Sequence, residues 1–204
     1  MASEFPGGAR ARRLSPSDLL PLEAYARERP AIRARMIEHR RARRLVLGPH
    51  CSWSFEDRQT IQYQVQEMLR TERIFEPEGI AAELDAFNPL IPDGRNLKAT
   101  LLIEYEDPAE RAGALIELRG FERRCWMRVA DFEPCWAVAD EDLPREDELK
   151  TSAVHFLRFE FTSAMIASLR AGAALAAGVD HPRYLHEAHP VPATLRSQLL
   201  ADFD

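Results

Sequence analysis

Residues 97–105 read LKATLLIEY, and this stretch decides the fold class. In an extended chain Leu97, Ala99, Leu101, Ile103 and Tyr105 point one way, while Lys98, Thr100 and Glu104 point the other, with Leu102 the exception. Such alternation belongs to a strand with one covered face and one wet face, as in antiparallel sheets. Parallel strands covered on both faces read as unbroken apolar runs. Residues 152–161, SAVHFLRFEF, repeat the pattern: Ala153, His155, Leu157, Phe159 and Phe161 share one face, and Val154, Phe156, Arg158 and Glu160 the other. Two shorter runs, Arg124 to Val129 and Cys135 to Ala139, are joined by Asp131, Phe132, Glu133 and Pro134 and predict a hairpin.

Around these strands the period changes to that of helices. Residues 56–72, EDRQTIQYQVQEMLRTE, place Ile61, Val65, Met68 and Leu69 on one stripe, with Glu56, Tyr63, Glu67 and Arg70 opposite. Glu72 falls within the apolar stripe, so it must find a partner, shift its pKa or escape as the helix frays. The stripe matches the strand faces in length and is expected to pack in one core with Leu101, Ile103, Leu157 and Phe159. Other helices are predicted from Ser17 to about Arg27, from Pro30 to about Leu47, around Ile80, Leu84 and Phe87, from an Asp107 cap through about Arg119, and from a Thr162 cap to Gly178. The sum is an α+β fold: a single domain with a mostly antiparallel sheet of about four strands, packed with several helices. Residues 1–14 read as a disordered lead, 15–184 as the domain and 185–204 as a C-terminal tail.

Composition bounds the function. The chain has 204 residues, 46% hydrophobic and 29% charged, which suits one globular core. It has no apolar run long enough to span a bilayer, and the start MASEFPGGARARR lacks the apolar core of a secretory signal, so a cytoplasmic protein is expected. Three cysteines, Cys51, Cys125 and Cys135, form no C-x-x-C pair and predict buried thiols. Residues 1–44 carry eleven arginines against five acids, which leaves −12 on the remainder of a chain whose net charge is −6. The arginines recur on several helix sides without stacking aromatics. Solvation, or docking on the acidic body, is therefore expected before nucleic-acid binding.

Candidate chemistry centres on His155, an imidazole among apolar face-mates that needs a partner. Glu67 or Glu72 is the expected carboxylate, and about 140° around the helix separates them, so only one can face the strand directly; His155, Glu67 and Glu72 are the candidate ligands for a divalent or iron-type ion such as iron, manganese or zinc. The alternative is a core histidine held by one carboxylate or carbonyl. Arg158 and Glu160, with Lys98, Glu104, Arg124, Arg128 and Trp126, would share the second sheet face as a surface for an anionic or planar ligand, or as plain cross-strand ion pairs. His186 and His189 fail the H-E-x-x-H pattern and read as a polar tail. The acidic connector from Asp140 to Glu148 lacks the order of an EF-hand loop and reads as solvated charge.

GPHCSWSFEDRQTIQYQVQEMLRTERIF at 48–75, LDAFNPLIPDGRNLKATLLIEYEDP at 84–108, KTSAVHFLRFEFT at 150–162 and AGVDHPRY at 177–184 resemble the bacterial domain of unknown function family 3501. The resemblance runs from about Ser17 to Tyr184. Its motif positions fall on Glu56, Gln64, Glu67, Arg70, Glu72, His155, Asp180 and His181, with no catalytic role attached. The resemblance implies an uncharacterised protein of a family often encoded beside a rubrerythrin and an iron–sulfur oxidoreductase, a context that implies a part in peroxide handling or electron transfer. The expectation is an accessory or ligand-binding protein whose polar site draws on Glu56, Gln64, Glu67, Arg70, Glu72, His155, Arg158 and Glu160. The rival is a metal-binding protein or metal-dependent enzyme centred on His155 and the helix carboxylates.

Overall fold

In the computed structural model the described residues are 13–141, 145 and 149–204. Most of the expected disordered lead, and the larger part of the acidic connector, lie outside them.

The strands come first because they position everything else. Strand β1 (Arg44–Val46) turns at Gly48, whose φ of 71° suits a glycine, into β2 (Cys51–Phe55). Strand β3 (Asn96–Ile103) pairs antiparallel with β2 and with β7 (Val154–Glu160), so that Leu101 faces both Trp53 and His155 across the ladders. Strand β6 (Val138–Ala139) closes this five-stranded sheet in the order β1-β2-β3-β7-β6. A second sheet has the order β5-β4-β8-β9, from β4 (Cys125–Val129), β5 (Cys135–Trp136), β8 (Leu175–His181) and β9 (Tyr184–Ala188). All the pairings are antiparallel. The expected hairpin forms, with Trp126 opposite Trp136, but the run 135–139 is split between the sheets. There are thus two sheets where one of about four strands was expected.

Apolar residues of the two sheets, among them Trp53, Leu101, Phe159, Cys125, Met127 and Val179, form one core. The rings of Trp53 and Phe159 stack at 5.2 Å between centroids. Helix α4 (Pro108–Glu117) begins at its predicted Asp107 cap, and α5 (Ser163–Arg170) at Thr162, whose hydroxyl accepts from the Met165 amide. Helix α5 ends eight residues before Gly178, which lies inside β8; the run AGAALAAG reads as helix by its alanines, yet it extends.

The helices of the N-terminal half build a core of their own. Helix α1 (Leu22–Ala42) passes through Pro30 where two helices were expected; burial of Tyr25 before the proline and Met36 after it offsets the lost bond. Helix α2 (Arg58–Thr71) and α3 (Pro77–Phe87) pack Ile61, Val65, Leu69 and Leu84 with Leu14 and Ile91. This corrects the expectation that the α2 stripe shares a core with Leu101, Ile103, Leu157 and Phe159. Met68 is only half-buried.

Both expected domain edges also move. Leu14 is buried, its amide donating to Asn88 Oδ1 at 2.6 Å and its carbonyl accepting from Asn88 Nδ2 at 3.0 Å. Beyond Tyr184, strand β9 and α6 (Ala193–Leu200) bring Val191, Leu195, Leu199 and Phe203 into the main core. The 185–204 segment is therefore part of the domain. Its apolar residues are widely spaced between prolines and polar groups, and this hides the pattern in the sequence.

Candidate functional site

His155 is fully buried and bonded to carboxyl chemistry, but its partners do not come from α2. Its Nδ1 lies 2.5 Å from Asp140 Oδ2, and its Nε2 lies 2.8 Å from Thr151 Oγ1, 3.1 Å from the Ser152 carbonyl and 3.9 Å from Glu122 Oε2. The Asp140 carboxylate also accepts from the Phe156 amide at 3.1 Å and sits 3.2 Å from Arg145, whose guanidinium covers the Phe156 ring. Asp140 and Thr151 flank the acidic connector, so His155 clasps both its ends. Asp140 and the Ser152 carbonyl can only accept, an arrangement that suits a histidine donating from both nitrogens.

The proposed metal set does not assemble. Glu67 accepts from Tyr25 Oη at 2.6 Å, Arg29 Nε at 2.8 Å and Arg29 Nη2 at 2.7 Å, which ties α2 to α1. The Arg29 bond first, and Tyr25 after it, hold Glu67 down to about 2, against the effect of burial. Glu72 is exposed at the C-cap of α2, with Arg73 turning the chain at φ 56°, so it escapes the apolar stripe by ending the helix. Gln64 is half-buried and Arg70 exposed, and neither is among the partners of His155 in the described residues. Among the described residues, no three His, Cys, Asp or Glu side chains are grouped to hold a metal ion. Burial pushes the Cys51 thiol up to about 12 and the Cys135 thiol to about 11.

A second buried network escaped sequence reading altogether. Arg43, in the stretch read as a solvated arginine face, is buried and donates to the carbonyls of Phe55 (3.1 Å), Glu56 (3.3 Å) and Gln198 (3.3 Å) and to the Asp202 carboxylate. It lies 3.5 Å from Asp57, whose other neighbour is His39 at 2.6 Å. Burial pushes Asp202 up to about 6 in spite of Arg43. Burial also raises Asp57, but His39, Arg43 and the Thr60 amide outweigh it and leave that carboxyl below its usual value. This network fixes the C-terminus to the start of α2.

Glu56 and Arg158 line one cleft on the outer face of the five-stranded sheet, and Glu160 is joined to it through its bond with Arg158. Cross-strand register sets Lys98 opposite Arg158 and Thr100 opposite Phe156, and a cleft of about 80 Å3 opens there, lined by Glu56, Leu90, Lys98, Glu141, Phe156 and Arg158 among others. Glu56 is 6% exposed; its Oε1 accepts from Thr100 Oγ1 at 2.6 Å and its Oε2 from Thr60 Oγ1 at 2.5 Å. No cation pairs with it among the described residues. The cations of the cleft are engaged elsewhere. Lys98 Nζ donates to the Pro89 carbonyl, and Arg158 grips both Glu141 oxygens at 2.7 Å and reaches Glu160, itself bonded to Asn96 at 3.0 Å. Burial, with Arg158 adding to it, holds Lys98 below the usual lysine range; Arg158 draws Glu141 down.

The remaining members of the expected sheet face lie apart. Glu104 pairs with Arg44 (2.7 Å) and Ser52 (2.6 Å) at the other end of β3, while Trp126 and Arg128 belong to the smaller sheet. His186, read as tail, lies on β9 with its ring 4.5 Å from that of Tyr184. His181 is buried and bonded to the Arg119 carbonyl at 3.1 Å. No helix among the described residues is long and apolar enough to cross a membrane.

A family model described as protein of unknown function (DUF3501) matches residues 13–203, which extends past Tyr184, where the sequence resemblance was expected to stop. A crystal structure of a novel protein of unknown function from Burkholderia pseudomallei K96243 is 50% identical, with a TM-score of 0.88 over 94% of this chain and 99% of that one. No curated protein matches. With nearly its whole length covered, this chain belongs to the DUF3501 family.

Proposed function

We propose that this protein is a cytoplasmic accessory binding protein whose site is the Glu56 cleft, and that it docks a redox partner of the rubrerythrin-like or iron–sulfur type implied by the family resemblance. One observation carries the reading: the Glu56 carboxylate is buried, lines an open cleft and, among the described residues, has only hydroxyl partners. A buried carboxylate without a cation is costly, and a neutral isostere would serve packing as well. Its unfilled lone pairs suit a hydrogen-bond donor, above all an ammonium, brought by a ligand.

Size supports a partner's side chain over a free cofactor. A cleft of about 80 Å3 is well below the roughly 300–1,000 Å3 that a drug-sized ligand occupies, but it accepts the end of one side chain. The half-buried Thr100, Leu102 and Phe156 beside it offer a shelf for the rest of an interface. The whole sequence holds three cysteines, fewer than the four thiolates a usual iron–sulfur cluster takes, so electron transfer would belong to the partner.

Calorimetric titration of the protein with a purified rubrerythrin-like protein and an iron–sulfur oxidoreductase from the same genome tests this. Saturable binding to one of them, weakened at least about tenfold by Glu56→Gln, is expected. No binding to either, or binding indifferent to Glu56→Gln, would overturn the proposal.

A further inference from the structure

The smaller sheet carries a second concavity, which the proposal above does not use. One register line crosses all four of its strands: Trp136 on β5, Trp126 on β4, Gly178 on β8 and Glu187 on β9. These residues share the sheet's outer face. The third place on the line has no side chain, and the Trp126 indole lies over it. A Cβ on Gly178 would come within 2.6 Å of Trp126 Cζ2, a distance real contacts do not show. The glycine therefore lets the indole lie down and leaves a trough beside it. Trp126, Pro134, Trp136, Asp180, Leu185 and Glu187 line a cavity of about 390 Å3, within the range of small-molecule sites. Trp136 is 45% exposed and Leu185 66%, although water disfavours both side chains there.

We propose that this trough binds a small organic cation of the guanidinium class. The exposed Trp136 indole gives a negative ring face beside Trp126, whose own ring lies against Gly178 and already carries the Arg128 guanidinium, and Asp180 and Glu187 place two carboxylates at the border. Neither carboxylate pairs with a cation among the described residues. A planar guanidinium satisfies both features at once, stacking on indole and donating in pairs to carboxylate oxygens. The protein already shows the preference within itself: the Arg128 guanidinium sits 5.3 Å from the Trp126 ring centre, and Arg128 does not line the trough. A packing role for Trp126 explains the opposed pair and the glycine beneath it, but not the exposure of Trp136 or the two acids beside it that pair with no cation among the described residues.

Fluorine NMR of the full chain labelled with 5-fluorotryptophan tests the proposal, because the three tryptophans give three signals and Trp53, fully buried in the core, serves as the internal control. Methylguanidine and arginine amide should shift the Trp126 and Trp136 signals in a saturable way and leave Trp53 still. Asp180→Asn with Glu187→Gln should weaken this at least about tenfold, and Trp136→Leu should do the same while the Trp53 signal certifies the fold. The neutral isostere N-methylurea should have no effect. Equal shifts with N-methylurea, no saturation, or indifference to the double substitution would overturn the proposal. An arginine-centred pentapeptide binding at least tenfold more tightly than arginine amide would also overturn it, by making a polypeptide the ligand.

Discussion

Glu56 Oε1 and Thr100 Oγ1 lie 2.6 Å apart, and this bond joins the end of β2 to the middle of β3 beside the cleft. The Thr100 hydroxyl donates to a carboxylate that has no cation to balance it among the described residues, so the two residues affect stability in opposite ways. Thr100→Val leaves the buried charge with one donor fewer and is expected to cost about 1–3 kcal/mol. Glu56→Gln removes the charge while both threonine hydroxyls can reorient to the amide, and stability should hold or rise by up to about 1 kcal/mol. Urea melts of the two variants check this pair; a loss of several kcal/mol in Glu56→Gln would make the carboxylate structural.

The His155 clasp is expected to be structural. His155→Ala removes a buried hydrogen-bond partner of Asp140 and Thr151 and should cost about 1–3 kcal/mol, since Asp140 keeps Arg145 and the Phe156 amide. It should also release both ends of the connector. Limited proteolysis should then cut between residues 140 and 151 faster than in the parent, under conditions where both proteins remain folded.

Stability below pH 5 is expected to depend on Glu67. Its folded pKa, about 2, lies below the ordinary glutamate value of 4.5, so its stabilising contribution is present above pH 4.5 and is lost as pH falls from there towards 2. Glu67→Gln should flatten that loss in melts run between pH 5 and 2. Asp202 works in the opposite sense: at about 6 its folded pKa is above 3.8, so folding takes up a proton between these values. That group alone makes the protein more stable as pH falls from 6 to 4, and Asp202→Asn should remove this component. An unchanged slope in either variant would contradict its assignment.

The strands with clean alternation were legible in the sequence: β3 and β7 lie where LKATLLIEY and SAVHFLRFEF place them, with Leu101 opposite His155. The burial of His155 was legible for the same reason. Its partners were not, because α2 takes its stripe into a separate core with Leu84 and Ile91, and Asp140 comes from a connector whose charge density reads as solvated. Strand β8 was hidden by small residues, since Ala176, Ala177 and Gly178 follow neither period clearly and Gly178 is there for Trp126. Arg43 could not be told from the arginines around it. Only the fold brings it to three carbonyls and Asp202. Of the cleft, Glu56 and Arg158 were named by motif position and alternation, as was Glu160, which bonds Arg158 from beside it. Of the two hydroxyls that donate to Glu56, that of Thr60 comes from the first turn of α2, while that of Thr100 follows from register, which single-strand patterns do not fix.

The central claim, that the Glu56 cleft is where this protein meets its partner, is tested most directly by a hydrogen-exchange footprint. The chain is exchanged alone and with a saturating redox partner from the calorimetric titration. New protection is expected in peptides covering residues 54–60, 98–102 and 156–160, and it should fade in Glu56→Gln at the same partner concentration. Protection confined to the arginine-bearing face of α1 or to the smaller sheet, with those three segments unchanged, would contradict the claim.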